Sequence, residues 1–258
     1  MATKRATPVQ RRDDQLDNDE TTHRHQPVSN ALKIKLDHLK TFEPLTDNQS
    51  KFFELYRGGA YCVGLFGSPG VGKTFLSMYK AIEEVLDKSN SFKQVVVIRS
   101  TVSVRDIGYL PGDQEAKIQI YEQPYKEICE TLFGRTDAWD RLKEQGYARF
   151  ISTAFIRGIS IDDAIIIVDE AQNMTWAELS SVLGRCGHRS KIMFCGDKFQ
   201  NDLVKNKNDV SGLGVFLEIL RDMKEYQEIY FTPDDIVRSS IVKNFILACE
   251  RKGLLPGS

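Results

Sequence analysis

Short apolar runs alternate with stretches of helical spacing along most of the chain. The runs are four to six residues long, and they lie at residues 61–66, 94–99, 164–168, 191–195 and 228–231. Near-continuous apolar runs of this kind are typical of a parallel sheet that is buried on both faces. The stretches between them have the length of crossover helices. The pattern therefore predicts an α/β fold with a mainly parallel sheet and helices on both faces.

Capping residues and local spacing predict further elements. Thr46 and Gln49 have the spacing of a capping box, which predicts a helix that ends near residue 58. A second helix is expected over residues 73–86. Apolar and polar positions alternate at the start of residues 32–39, and this predicts a short edge strand.

The composition along the chain predicts one domain and a tail. Residues 1–29 are polar and offer almost nothing to bury, so we expect this segment to be disordered. Residues 30–258 are expected to form a single domain. Residues 102–152 interrupt the strand–helix rhythm with mostly helical spacing and a turn at Pro111, so we interpret them as an insertion on the core.

Length and charge exclude several classes of protein. The chain has 258 residues, near the upper size of one large α/β domain, and its formal net charge is −1. A chain this neutral can contact nucleic acid only through a local patch. No apolar run approaches the roughly 18 residues of a membrane span, and the amino terminus lacks the apolar segment of a secretory signal. The five cysteines are scattered without metal-ligand spacing, which predicts a cytoplasmic protein with reduced thiols.

A phosphate-binding loop follows the first apolar run. Eight consecutive residues fit the pattern G-x-x-x-x-G-K-[ST], namely Gly67, Ser68, Pro69, Gly70, Val71, Gly72, Lys73 and Thr74. The glycines let backbone N–H groups point at phosphate oxygens, and the following helix presents its positive amino terminus. Lys73 is expected to reach the β- and γ-phosphates, and the Thr74 hydroxyl to ligate Mg²⁺. The loop predicts ATP binding.

Two carboxylates end the third apolar run. We expect Asp169 to hold Mg²⁺ beside Thr74 and Glu170 to act as the general base on the attacking water. Strand alternation would place the two side chains on opposite faces and so separate their roles. The alternative is that both acids are solvated at the strand end or cap the next helix.

Three further polar residues are candidates for contacts with the nucleotide. Asp197 and Gln200 follow the next apolar run, where they could sense the attacking water or the γ-phosphate, or form a polar turn. Gln49 lies about 24 residues before Lys73, where its amide could read adenine. The role of Gln49 as the capping partner of Thr46 fits equally well, and the two roles are compatible.

The motifs together resemble one family, the PhoH-like, phosphate-starvation-inducible P-loop ATPases. The resemblance is carried in order by GSPGVGKT (67–74), GYLPGD (108–113), RG (157–158), IIIVDEAQNMT (165–175), CGDKFQNDL (195–203), SGL (211–213) and DIVRSSIV (235–242). DEAQN followed by GDxxQ is also similar to motifs II and III of superfamily 1 helicases. The chain departs from the family where Ser239 stands in place of the usual histidine after Arg238. The resemblance implies a RecA-like core that hydrolyses ATP, with RNA processing or helicase-like work in some members, and a bacterial host cytoplasm if the chain is phage-encoded.

Arginine and aromatic side chains complete the candidates. Arg238 could be an arginine finger or sensor, since a cation at the transferred phosphate greatly accelerates phosphoryl transfer. It could equally begin a helix in a surface salt bridge. Arg99 and Arg157 are candidates of the same kind, and Trp176 could belong to the core or form an exposed stacking platform.

The size of the chain leads to two hypotheses of function. Superfamily 1 helicases place ATP between two cores, and this chain has room for one. We therefore expect a homo-oligomer, such as a hexameric ring, in which an arginine of the neighbour completes each site. The first hypothesis is ATP hydrolysis coupled to remodelling of RNA or single-stranded DNA. The alternative is a nucleotide-dependent oligomeric scaffold or switch with slow hydrolysis and no motor activity.

Overall fold

Six parallel strands form one sheet in the order β3-β2-β4-β5-β1-β6. The structure is a computed structural model, and it describes residues 33–101, 114–197 and 212–252. The strands are β1 (Cys62–Gly67), β2 (Gln94–Arg99), β3 (Ala148–Ser152), β4 (Ala164–Asp169), β5 (Lys191–Gly196) and β6 (Tyr226–Phe231). The helices are α1 (Asp47–Arg57), α2 (Lys73–Leu86), α3 (Gln114–Phe133), α4 (Ala138–Glu144), α5 (Trp176–Leu183), α6 (Leu213–Arg221) and α7 (Ser240–Arg251).

Helices cover both faces of the sheet because successive strand residues point in opposite directions. In β2, Val95 and Val97 join the core formed with α1 to α4, whereas Val96 and Ile98 join the core formed with α5 and α6. All four side chains are fully buried. The predicted α/β class with a parallel sheet between helices is therefore confirmed, and with the loop after β1 it is that of a P-loop NTPase.

Local signals predicted the bounds of α1 and α2 well. The Thr46 hydroxyl accepts a hydrogen bond from the backbone N–H of Gln49 at the start of α1. Helix α2 occupies Lys73–Leu86, as the spacing indicates. The expected tail at 1–29 and the turn at Pro111 lie outside the described residues.

Two expectations differ from the structure. The predicted edge strand at 32–39 is wrong, because from residue 33 onward this segment contains a short 3-10 helix, Leu36–His38, whose backbone bonds close locally. Ile34 is buried there and Leu39 packs against the same core, whereas Leu36 is exposed, so the alternating apolar residues do not form the buried face of a strand. Conversely, β3 ends the segment interpreted as an insertion and pairs with β2 at the sheet edge. Its exposed Arg149 hides the apolar pattern of a strand.

None of the helices within the described ranges has both the length and the apolar character needed to cross a bilayer.

A buried carboxylate ties α1 to the far edge of the sheet. Asp235 follows β6 and accepts hydrogen bonds from Asn48 Nδ2 (2.7 Å) and the backbone N–H of Thr232 (2.8 Å). Burial opposes ionisation of Asp235, but hydrogen bonds from Thr46, Asn48 and Thr232 outweigh it and lower the pKa of the carboxyl. These bonds hold the start of α1 against the segment that precedes α7.

Replacing this carboxylate should destabilise the fold. We expect Asp235→Ala to lower the free energy of unfolding by about 1–3 kcal/mol, because buried donors lose their acceptor. The neighbouring exposed Asp234, replaced by Ala, serves as the matched control. Since the pKa of Asp235 lies below its ordinary value of 3.8, its contribution is present at neutral pH and is lost as pH falls through the lowered pKa. Urea unfolding at pH 7 and at acid pH measures both effects, and equal stability of the two variants at pH 7 would contradict the assignment.

Candidate nucleotide site

Glycines shape the loop between β1 and α2. Gly67 has a φ of 124°, and a Cβ there would lie 1.9 Å from the carbonyl oxygen of Phe231. Gly72 has a φ of 87° immediately before α2 begins. The loop therefore turns tightly against the end of β6, and within it Val71 is buried while Ser68 and Pro69 are half-buried.

Lys73 points back into this loop. Its Nζ donates hydrogen bonds to the carbonyl oxygens of Gly67 and Ser68, both at 2.8 Å. Burial lowers the pKa of Lys73, while the carboxylates of Asp197, Glu170 and Asp169 oppose that shift. The ammonium group thus lies inside the loop, with carboxylates near it. The loop also precedes the amino end of α2, and the amino end of a helix is a favourable place for phosphate.

Thr74 and Asp169 meet although they are far apart in sequence. The Thr74 hydroxyl donates to Asp169 Oδ1 at 2.7 Å, and the Tyr125 hydroxyl of α3 donates to Oδ2 at 2.8 Å. Both carboxylate oxygens therefore have a donor. Tyr125 has no motif in the sequence that marks it, because it lies within an ordinary helical stretch.

Glu170 leaves the strand rather than continuing it. The strand β4 ends at Asp169, and Glu170 adopts a left-handed backbone with φ of 53°, so strand alternation does not separate the two acids as predicted. Its Oε2 accepts a hydrogen bond from Gln172 Nε2 at 2.5 Å. Burial and the neighbouring Asp169 raise the pKa of Glu170, while Arg99, Gln172 and Lys73 act against that rise. A general base is most effective when its pKa lies near the working pH, so a raised pKa makes a carboxylate a better proton acceptor.

Gln172 also connects this acid to the end of β5. Its Oε1 accepts a hydrogen bond from the backbone N–H of Asp197 at 3.0 Å, and both residues are buried. A Cβ on Gly196 would lie 2.8 Å from that oxygen, so the glycine permits the contact. The sequence predicted Asp197 but not Gln172, whose role follows only from the packing. Gln200 lies outside the described residues.

Gln49 supports the loop from within the fold. Its Nε2 donates to the Val71 carbonyl oxygen at 3.2 Å, and its Oε1 accepts from the backbone N–H of Leu45 at 2.8 Å. The side chain is buried, and its amide bonds to Leu45 rather than to Thr46, so only the Thr46 half of the predicted capping box forms.

The three arginine candidates occupy different places. Arg99 ends β2 directly opposite Asp169 and interacts electrostatically with Asp169 and Glu170. Arg238 lies against the P-loop of its own chain, where a Cβ on Gly70 would be 3.0 Å from its Cγ. Arg157 is exposed in the connection that follows β3.

The oxygen atoms of Thr74 and Asp169 are suitable ligands for Mg²⁺. A hydroxyl and a carboxylate are hard oxygen ligands, and Mg²⁺ binds through one or two such groups plus water and substrate phosphates. No cluster of three or more His, Cys, Asp or Glu side chains suited to a metal occurs in the described part of the chain. Thr74 and Asp169 would hold Mg²⁺ through their oxygens.

Comparison with known proteins places these motifs in a family. A family model described as PhoH-like protein matches residues 41–250. A PhoH-like protein of Bacillus subtilis is 34% identical over 187 residues, which are 72% of this chain and 57% of that protein. Protein PhoH2 of the same organism is 38% identical over 182 residues, 68% of this chain and 40% of that protein. The chain thus spans about half the length of these curated relatives.

Similarity to solved structures is weaker. The large terminase of a thermophilic bacteriophage matches with a TM-score of 0.49 and 16% identity, over 79% of this chain and 50% of that chain. Because this score lies below 0.5, the assignment of the fold rests on the sheet order and the P-loop of the chain itself.

Proposed function

The chain belongs to the PhoH-like protein family, and from this premise we propose that it binds ATP with Mg²⁺ and hydrolyses it. The observation that carries the proposal is the contact of 2.7 Å between Thr74 and Asp169, which brings the P-loop and the acidic strand end to one site. Lys73 and Glu170 lie at the same end of the sheet, since they follow the carboxyl ends of β1 and β4. Residues suited to phosphate binding, metal binding and proton abstraction therefore lie together in one site.

Each residue has a role that its surroundings support. Lys73 exchanges the loop carbonyl oxygens for β- and γ-phosphate oxygens, which compensate its buried charge better. Thr74 and Asp169 would hold Mg²⁺, which neutralises phosphate charge when it is bound. Glu170, with its raised pKa and its Gln172 contact, accepts the proton of the attacking water. Asp197 lies near Lys73, and this position supports a role for Asp197 in sensing the γ-phosphate.

Two substitutions separate binding from turnover. Glu170→Gln should keep nucleotide affinity near that of the wild type and slow hydrolysis by roughly 10²–10⁴-fold, because the amide cannot accept the proton. Lys73→Ala should abolish nucleotide binding. Fluorescence anisotropy of a labelled ATP analogue measures binding, and phosphate release measures turnover. Unchanged hydrolysis by Glu170→Gln would remove Glu170 as the base.

We propose further that hydrolysis is coupled to RNA or single-stranded DNA. Two exposed aromatic side chains near the carboxyl ends of the strands support this proposal. They are Phe155 (55% exposed) and Trp176 (43% exposed). Glu178 connects the segments that carry them, since its carboxylate accepts from Thr153 at 2.6 Å and from the backbone N–H of Thr175 at 2.9 Å. Exposed aromatic rings are sequence-tolerant stacking platforms for bases, and the exposed Arg157 lies two residues after Phe155.

Tryptophan fluorescence tests this surface without hydrolysis. The chain has two tryptophans, and Trp139 is fully buried, so an oligonucleotide that stacks on this surface should quench Trp176 alone. Phe155→Ala should weaken binding roughly tenfold, while Tyr61→Ala, an exposed aromatic before β1 at the opposite end of the strands, should not. If oligonucleotides neither quench fluorescence nor stimulate ATP hydrolysis at low salt, the scaffold or switch hypothesis is favoured instead.

We also propose that the chain forms a homo-oligomer, with a hexameric ring as the expected form. Helix α7 supports this because Ile241 and Phe245, one turn apart, are 80% and 68% exposed. The helix begins two residues after Arg238, which lies at the P-loop, so a neighbour that covers α7 would reach the nucleotide site. A cytoplasmic location stays a prediction, and the five free cysteines support it.

A charge on α7 should prevent assembly. We expect Phe245→Glu to shift mass photometry from an oligomer to a monomer, because a carboxylate in an apolar interface is costly to desolvate. Val215→Glu is the matched control, since Val215 is an exposed apolar residue of α6 on the other face of the sheet. A wild-type protein that is monomeric and active at nanomolar concentration would contradict the proposal.

A further inference from the structure

A side chain of helix α3, that of Tyr125, reaches the nucleotide site. The Tyr125 hydroxyl donates to Asp169 Oδ2 at 2.8 Å, while Thr74 occupies Oδ1 at 2.7 Å. Tyr125 is fully buried, so water cannot replace its hydroxyl as the donor. With a donor on each oxygen, the carboxylate cannot rotate without breaking one of the two bonds.

The position of the hydroxyl is fixed by packing on two sides. The Tyr125 ring lies 5.8 Å from the Trp139 ring of α4 and 5.8 Å from the Phe150 ring of β3. The two helices are joined beside it, because the buried Glu122 of α3 accepts from Trp139 Nε1 at 2.6 Å and pairs with Lys143. The phenol is thus a fixed donor on a braced pair of helices.

We propose that Tyr125 is a positioning residue that orients the Asp169 carboxylate for Mg²⁺ and so makes metal binding depend on where α3 lies. This inference rests on the proposed function, because it concerns the metal that accompanies the nucleotide. Groups that hydrogen-bond to a metal ligand fix its orientation, and their loss costs metal affinity although they do not touch the metal. Removal of the phenol oxygen would take its hydroxyl donor from Oδ2 and a hydrogen-bond partner from Arg99, and would free the carboxylate to turn from Thr74.

The experiment compares two tyrosines that each lose only a hydroxyl. Tyr125→Phe keeps the ring packing and removes the donor to Asp169. Tyr79→Phe is the matched control, because Tyr79 is also buried and its hydroxyl contacts Phe42 N and Glu83, outside the nucleotide site. For each protein, binding of a fluorescent ADP analogue is titrated against free Mg²⁺ and repeated in EDTA, and the melting temperature is recorded.

Tyr125→Phe should raise the Mg²⁺ concentration needed for half-maximal nucleotide binding by about 10- to 100-fold. Its nucleotide affinity in EDTA should equal that of the wild type, and Tyr79→Phe should match the wild type in both conditions. A Tyr125→Phe protein that titrates with Mg²⁺ like the wild type overturns the inference. So does an equal loss of affinity with and without Mg²⁺, because that result indicates a purely structural role.

Two further outcomes are distinguishable. If Tyr125→Phe does not fold, Tyr125→Met, another side chain without a donor, is titrated with the same expected and contradicting results. If the wild-type protein binds no nucleotide in either condition, the proposed function fails and this inference fails with it. If the wild type binds nucleotide with Mg²⁺ and only the Tyr125 variants lack the expected shift, the inference alone fails.

Discussion

The hydrogen bond between Thr74 and Asp169 depends on the order of the strands, on their register and on the two apolar cores that hold them. It joins the first turn of α2 to the end of β4, although β5 lies between β1 and β4 in the sheet. The two groups can meet only if these strands end at the same level, which parallel pairing in register provides. The apolar cores on the two faces hold that register, since a shift by one residue would turn buried side chains toward the wrong face.

Charge in the site explains why a metal suits it. Three carboxylates, Asp169, Glu170 and Asp197, lie near two cations, Lys73 and Arg99. A polyphosphate adds several negative charges to this half-buried place, where screening by water is weak. Lys73, Arg99 and the amino end of α2 do not balance that charge. Mg²⁺ would supply the missing positive charge. The pKa of Glu170 is raised by burial first and by the negative charge of Asp169 second, so a further negative charge would add to the second effect.

The sequence predicted those parts of the fold and site that short segments determine. The P-loop, α2 and the acidic end of β4 are specified by adjacent residues, and each lies where the pattern placed it. What the sequence could not predict depends on contacts between distant segments. Strand β3 carries an exposed arginine, Arg149, at the sheet edge, and the contacts of Tyr125 and Gln172 with the site acids arise only after packing. The predicted edge strand at 32–39 is wrong because its alternating apolar residues are not buried together: Ile34 is buried, whereas Leu36 is exposed and begins a locally bonded 3-10 helix.

Polar side chains join the segments around the site, whereas apolar packing holds the rest of the sheet. Asp235 ties α1 to the end of β6, Gln49 supports the P-loop, and Glu178 connects the ends of β2 and β3 to α5. Such contacts need specific geometry and are lost when a donor moves by an ångström, unlike apolar packing, which is not directional. A ligand or partner that displaces one of these segments would therefore change the geometry of the site while the sheet stays intact. The net charge of the whole chain is −1, so the nucleic acid proposed above as a partner would have to bind a local surface near the carboxyl ends of the strands.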